Sequence, residues 1–481
     1  MVVGEITQRT DLLVIGGGPG GYAAAFRAAD LGLDVTMVDT REQPGGVCLF
    51  EGCIPSKALL FLSELIYDAA RAKTMGISFD QPKIDIKGVK AWKEGITTKL
   101  AKGLSNLCTR RDIQWLKARA VFEGPDTVRL LGADVAHIKF KNAVIATGSS
   151  PLIPSGVQIK PGGNIIDSST ALEFTELPES LLVIGGGYIG LELGQVYAAM
   201  GSRVSLAVRS ELLRKVDRDL VGPLERRMQE MCENIFQHAT VTSLQKKEGG
   251  VDVLLTTQEG KVIEQQFDKV LIAVGRAPNT SDLGLEKAGV DVDEKGFLTV
   301  NEKQQTTISN IYAVGDVTPG PMLAHRAIRQ GKVAAEVING LPSAFDNRAI
   351  PAVVYTDPQV AWCGLSEKEA TLQHIDVKIT RFPWSASGRA ATMGTPEGLT
   401  KLILEPETGR ILGAGVVGRN AEGLIAESVL AIEMGALAED IALSIHPHPT
   451  LSETEAEAAE IFFGSTTHFI DSQPAKTQNS D

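Results

Sequence analysis

Asp11-Leu12-Leu13-Val14-Ile15-Gly16-Gly17-Gly18-Pro19-Gly20-Gly21 carries a short apolar run straight into a glycine-rich turn. A small-residue helix, Tyr22 to Leu31, follows, then a second apolar run, Val35 to Val38, closed by Asp39. Strand, G-x-G-x-x-G turn, helix, strand and terminal acid in this order make a complete βαβ frame. Each glycine has a task in such a frame. Gly16 makes the tight turn, Gly18 lets the backbone approach a pyrophosphate, and Gly21 lets the helix pack on the strand with its N-terminus facing the phosphates. Asp39 lies where a carboxylate accepts from a ribose hydroxyl. A lone glycine motif is weak evidence. The full frame predicts a dinucleotide site.

The same unit recurs. Leu181 to Ile184 enters Gly185-Gly186-Gly187-Tyr188-Ile189-Gly190, then a helix from Leu191 to Met200 and a strand from Arg203 to Val208. Gly185, Gly187 and Gly190 keep all three glycine positions, which argues against a decayed duplicate. Two dinucleotide sites in one chain suit an enzyme that passes electrons between two nucleotide cofactors. The copies differ at one point. Asp39 lies 23 positions after Gly16, whereas the residue 23 after Gly185 is Val208, followed by Arg209, Arg214 and Lys215. A carboxylate repels a 2′-phosphate and arginines accept one. The first site therefore suits the unphosphorylated ribose of FAD, and the second is open to NAD(H) or NADP(H). A solvated basic face is the plainer account of the same charges.

Outward from these units lies Gly45-Gly46-Val47-Cys48-Leu49-Phe50-Glu51-Gly52-Cys53-Ile54-Pro55-Ser56-Lys57, followed by a helical run from Ala58. Cys53 falls near a helix start, where unpaired N–H groups favour a thiolate. The spacing allows a redox couple, two quiet cysteines, or half of a zinc site whose other ligands are missing from the surroundings. Glu51, between the cysteines, is expected to add negative charge and raise their pKa values. Three more apolar strands end in small-residue turns: Ala143 to Gly148, Lys269 to Gly275, and Ile311 to Asp316, whose carboxylate suits a polyol hydroxyl. After Arg348 the pattern changes to an α+β region with strands at Val353–Tyr355, Lys401–Leu404 and Gly413–Gly418 and a helix at Glu422–Met434. It ends in Ile445-His446-Pro447-His448-Pro449-Thr450-Leu451-Ser452-Glu453, which sets a carboxylate five residues from an imidazole, the usual general acid/base pairing.

Composition bounds the alternatives. A chain of 481 residues with 43% hydrophobic and 22% charged residues suits several globular domains. A net charge of −12 argues against nucleic acid as partner. Five scattered cysteines do not make a secreted disulfide framework. No leader pattern and no uninterrupted apolar run of spanning length are recognised, so no membrane contact and a cytoplasmic location are expected. No metal site is expected. Cys108, Cys232 and Cys363 are assigned no chemistry.

From Asp11 to about Thr467 the chain resembles the flavoprotein disulfide reductases. Cys-Ile-Pro-Ser-Lys at 53–57, Pro321 to His325, Pro351 through Gly364 and His446 to Glu453 are similar to the lipoamide branch of that family. The resemblance implies an α/β fold of two Rossmann-like dinucleotide-binding domains, for FAD and NAD(P), plus a C-terminal α+β dimerisation domain. The expected boundaries are 1–150 and 279–347 for the two parts of the FAD domain, 151–278 for NAD(P), 348–467 for the interface, and 468–481 for a flexible tail. It places FAD on Gly16, Gly18, Gly21, Asp39, Lys57, Gly148, Asp316 and Ala324, and the nicotinamide nucleotide on Gly185, Gly187, Gly190 and Gly275. Tyr188 would lie over the nicotinamide ring, and Lys57 would pair with Glu192 beside the flavin. Cys53 would face the flavin, Cys48 would exchange with substrate, and His448, oriented by Glu453, would serve the partner subunit's disulfide in a homodimer. The implied activity is oxidation of dihydrolipoamide on a lipoyl-bearing protein or multienzyme complex, with NAD(P)⁺ as acceptor. An NADPH-dependent disulfide reductase of glutathione-reductase type and a docking subunit without catalysis are the competing expectations. Val208-Arg209 resembles the glutathione-reductase branch, where arginine binds the NADP phosphate, while Gly190 resembles the NAD-using form.

Overall fold

The computed structural model describes residues 6–154 and 162–470. Residues 471–481 of the expected tail lie outside the described residues. The chain forms two compact units. One takes the described residues up to Leu62 with Phe79–Leu177 and Leu271–Asp346; the other takes Ser63–Ser78, Pro178–Val270 and the residues from Asn347 onward.

The first unit is built on β1 (Thr7–Ile15), α1 (Pro19–Asp30), β2 (Val35–Asp39), α2 (Gly46–Glu51), α3 (Cys53–Arg71, continuing past this unit) and β3 (His137–Ile145). Strand Gln114–Lys117, then β2, β1, β3 and strand Ile311–Ala313 run parallel side by side. Leu12, Leu13 and Val14 are fully buried, as expected of a parallel sheet covered on both faces. Each such side chain contributes up to about 1.5–3 kcal/mol on burial. An antiparallel pair, Arg119–Gly124 with Thr127–Leu131, joins the first half of β3. Small residues let α1 lie close to helix Ala324–Ile338: a Cβ on Gly331 would sit 2.3 Å from the Gly20 carbonyl oxygen.

The second unit repeats the frame with β4 (Ser180–Ile184), α4 (Tyr188–Ala199), β5 (Arg203–Val208) and β6 (Asn234–Gln237) in parallel order β6-β5-β4. A three-stranded antiparallel meander, Ala239–Lys247, Gly250–Thr257 and Val262–Phe267, follows β6. The C-terminal part is a five-stranded antiparallel sheet in the order Ala352–Val354, Gln359–Gly364, Ile411–Gly418, Leu399–Leu404, Lys378–Pro383. Helices Ala421–Met434 and α5 (Glu453–Phe463) accompany it, and its core gathers Trp384, Phe382, Val416 and Ile425. Helix Arg218–Met231 packs onto this sheet at a glycine: a Cβ on Gly415 would sit 2.3 Å from Leu220 Cδ1.

Beside that contact lies a buried cation. Lys401, whose side chain is 1% exposed, donates to Asp217 at 2.7 Å and to Asp219 and Glu367 at 2.8 Å each. These three carboxylates have the spacing of a metal cluster, and the cation they hold is an ammonium. One helical stretch, Gly46–Met75, has the length and mean apolar character of a membrane span, but Glu51, Lys57, Glu64, Asp68 and Arg71 interrupt it. Gly52 breaks it into α2 and α3, with Cys53 directly after the break and Cys48 inside α2.

Candidate active site

In the first unit the glycine loop and the thiol segment are one construction. Gly16 turns at φ +105°, and a Cβ on Gly21 would lie 1.9 Å from the Gly16 oxygen, so neither position admits a side chain. The Asp39 carboxylate accepts the Gly17 N–H at 2.6 Å and the Arg41 N–H at 2.9 Å, tying the loop to the end of β2. Gly45 donates to the Gly17 carbonyl at 2.8 Å. At Gly46, with φ +59°, a Cβ would stand 2.5 Å from Gly18 Cα. The start of α2 thus presses on the phosphate-binding turn, with Cys48 two residues beyond the contact, in the same first turn. Beside Gly18 the space is open apart from Gly46 Cα at 3.9 Å, and Gly148 has open space where a side chain would be. Free backbone N–H groups at the N-terminus of α1 with no side chain over them fit a dinucleotide pyrophosphate.

Cys48 lies in α2 and Cys53 is the first residue of α3; both are half-buried free thiols, hydrogen-bonded to each other. That bond and burial push the Cys48 thiol up, against the pull of the Lys57 ammonium. Tyr22 on α1 joins this group. Burial, followed by the nearby Cys48 and Cys53 charges, raises its hydroxyl to about 12, which keeps it protonated. Asp316 is fixed by Ser149, whose hydroxyl donates to it at 2.6 Å while accepting from Arg276 Nε at 2.7 Å. The preceding N–H, of Gly315, donates to Gln330 at 2.9 Å. Ala324 starts the helix behind this turn. Gly275, at φ +143°, has only Leu152 within reach of an added Cβ, at 3.9 Å.

In the second unit, Gly187 caps α4 and has open space at its side, and Tyr188 stands exposed as the first helical residue. Glu192, 3% exposed, accepts the Tyr355 N–H at 3.0 Å, and Gln195 accepts that of Asp357 at 2.7 Å. These bonds shape the Tyr355–Pro358 segment. Gly190 is buried in the same helix. Val208 takes the place that Asp39 has in the first unit: a Cβ on Gly186 would meet Val208 Cγ1 at 2.6 Å. Arg209, Arg214 and Lys215 are exposed beyond it. Glu453 opens α5 and bridges two groups. One oxygen lies 2.7 Å from His448 Nδ1 and the other accepts the Thr450 N–H at 2.7 Å. The His448 side chain is 70% exposed, which leaves the imidazole accessible for proton exchange.

Residues 10–331 match the model of the pyridine nucleotide-disulphide oxidoreductases, and residues 350–459 match the dimerisation domain of the same group. The chain belongs to this family. Among the curated members of the pyridine nucleotide-disulphide oxidoreductases, it is 44% identical over 467 residues to a dihydrolipoyl dehydrogenase of Buchnera aphidicola, covering 96% of this chain and 97% of that one. It is also 44% identical over 474 residues to a dihydrolipoyl dehydrogenase of Geobacillus stearothermophilus, covering 98% and 100% of the two chains. A crystal structure of LpdA from Mycobacterium tuberculosis superposes with a TM-score of 0.86 at 26% identity, covering 94% of this chain and 99% of that one. The protein is therefore an FAD-dependent oxidoreductase using a pyridine nucleotide, with the family's dimerisation domain at its C-terminal end.

One expectation for this oxidoreductase is not met at Cys48. Glu51 is not among the groups that shift that thiol. Its carboxylate pairs with Arg41 at 2.7 Å, and the influences on Cys48 are Cys53, burial and Lys57. Sequence reasoning also missed Tyr22 and Ser149. Tyr22 directly follows the glycine motif, and Ser149 directly follows Gly148, so adjacency to a motif was the available signal for both.

Proposed function

We propose that this protein is a dihydrolipoyl dehydrogenase, oxidising a dihydrolipoyl group carried on a lipoyl-bearing protein and passing a hydride to a pyridine nucleotide. The observation that carries this is the hydrogen-bonded pair Cys48 and Cys53, fastened to the dinucleotide loop through Gly45 and Gly46. In the oxidised enzyme one substrate thiol attacks Cys48 of the Cys48–Cys53 disulfide, releasing Cys53 as thiolate. The second substrate thiol then displaces Cys48, leaving substrate disulfide and enzyme dithiol. His448, held by Glu453, takes the substrate proton. Bound FAD supplies the two-electron acceptor between dithiol and nucleotide. Gly16, Gly18, Gly21, Asp39, Lys57, Gly148, Asp316 and Ala324 hold it, while Gly185, Gly187, Tyr188, Gly190, Glu192 and Gly275 serve the nicotinamide side.

Residues 1–150 and 279–347 then form the FAD domain, 151–278 the nicotinamide domain and 348–467 the interface. In the homodimer His448 reaches the partner subunit's disulfide, which accounts for its outward exposure. Outside the redox pair, the cysteines Cys108, Cys232 and Cys363 are all buried and unbridged, which suits a cytoplasmic enzyme. The test is steady-state oxidation of dihydrolipoamide with NAD⁺ by wild type and Cys53→Ser. Loss of activity in the variant is expected. Full activity there would sink the mechanism.

A further inference from the structure

Two histidine–carboxylate pairs flank Pro447, and they face in opposite directions. Helix Ala438–Ala442 is followed by Leu443, 75% exposed, and Ile445, 100% exposed, so the chain leaves the packed core before it reaches His448. His446 turns back in, with its side chain 8% exposed. Its Nδ1 lies 2.9 Å from the Ser444 carbonyl oxygen, and its Nε2 lies 2.9 Å from Glu427 Oε1 on helix Ala421–Met434. A carbonyl oxygen only accepts, so Nδ1 carries a hydrogen, and Nε2 is taken up by the carboxylate. His446 has no ring nitrogen left for a substrate. His448 is bonded at Nδ1 alone among the described residues, and its side chain is 70% exposed.

The two pairs are joined behind this stretch. Ser428, next to Glu427, donates to Glu455 Oε2 at 2.9 Å, and Glu455 lies on α5 two residues after Glu453. A closed circuit therefore runs from His446 through Glu427, Ser428, Glu455 and Glu453 to His448. Thr450 tightens it by donating its hydroxyl to the Pro447 carbonyl at 2.7 Å. From Ile445 to Pro449 the side chains bond to neighbouring helices at His446 and His448 and nowhere else among the described residues. We infer that His446 is a positioning residue: its bond to Glu427 holds one flank of the stretch while Glu453 holds the other, and together they aim the His448 imidazole, a role that rests on the reading of His448 as the acid/base of the thiol exchange. The substrate proton goes to His448 and none passes to His446. With one flank released, the His448 ring can swing about its remaining bond, and a displacement of about 1 Å at a reacting group can cost about a hundredfold in rate.

The test follows dihydrolipoamide oxidation and NADH-driven dye reduction by the FAD-loaded enzyme in His446→Ala, His446→Gln, His448→Gln and the double variant of His446→Ala with His448→Gln. His446→Ala is expected to lower kcat for dihydrolipoamide about tenfold, with KM and dye reduction changed by less than about twofold. A Gln amide sets a donor near the place of Nε2, so His446→Gln is expected to recover most of the rate. The double variant separates positioning from a direct role. With no imidazole left to aim, His446→Ala is expected to add less than about twofold to the loss in His448→Gln. An undiminished tenfold loss in that background would overturn the inference, since His446 would then act without His448. Full activity in His446→Ala would overturn it, as would an equal loss in dye reduction. So would a His446→Gln enzyme that melts with wild type yet is as slow as His446→Ala. Full dihydrolipoamide oxidation in His448→Gln is a different result, because it would refute the acid/base reading itself.

Discussion

Replacing Lys401 by Met removes the cation from the center of a carboxylate cluster without removing its aliphatic packing. The ammonium makes three contacts of 2.7–2.8 Å at 1% side-chain exposure, and Arg381 already pairs with Asp219 at 2.7 Å and with Glu367. Asp219 and Glu367 therefore keep a partner in the variant, while Asp217, 8% exposed, loses the one cation it pairs with among the described residues. Breaking a buried ion pair from one side costs about 3–5 kcal/mol, and the remaining Arg381 places Lys401→Met at about 3 kcal/mol. Urea unfolding at pH 7, followed by tryptophan fluorescence, reads this directly. The three carboxylate oxygens lie within 4.8 Å of one another, so millimolar Ca²⁺ is expected to recover part of the loss in the variant and nothing in wild type. Acid supplies a second check. Burial opposes ionisation of Asp219, yet Lys401 and Arg381 hold its carboxyl below the usual range. A lowered carboxyl stabilises the fold above about pH 4 and loses that contribution as pH falls through the folded value, so the gap between wild type and variant narrows in acid. A loss below about 1 kcal/mol at pH 7, or equal Ca²⁺ stabilisation of both proteins, would refute the reasoning.

Two further perturbations separate chemistry from architecture. Glu453→Gln keeps an acceptor for the Thr450 N–H but removes the charge at His448 Nδ1, so dihydrolipoamide oxidation is expected to fall about 10²–10³-fold. NADH-driven reduction of a dye, which needs no substrate thiol, should fall far less, and equal losses in the two assays would deny His448 its role. Glu455 is 1% exposed with one oxygen accepting from Ser428 at 2.9 Å and the other without a hydrogen-bond partner; burial, then the Glu427 charge, raises its carboxyl to about 8. A raised carboxyl contributes its stability below about pH 4 and loses it as pH rises to 8, so wild type should lose thermal stability between about pH 5 and 8. Glu455→Gln should flatten that decline, and an unchanged slope would place the titrating group elsewhere.

Sequence alone determined what short stretches decide. The turn at Gly16 to Gly21, its repeat at Gly185 to Gly190, Cys53 at a helix start and the His448–Glu453 pair each depend on a few neighbouring residues, and the structure forms them all. Helix Ala421–Met434 and strand Ile411–Gly418 were legible for the same reason, since their apolar periodicity is local. Glu51 marks the limit. Its position between two cysteines suggested a charge acting on them, and only the folded chain supplies Arg41, ten residues upstream, to pair with it.

Tertiary structure decided which distant residues share a space. Ser149 meets Asp316 across 167 positions and Lys401 meets Asp217 across 184, distances over which no sequence pattern carries a signal. The same holds at the second nucleotide unit. The missing acid at Val208 could be seen in the sequence, but that Arg209 lines one cavity with His238, Thr240 and Thr256 depended on where the meander strands came to rest. Local propensity sets the turn, and long-range packing sets what the turn faces.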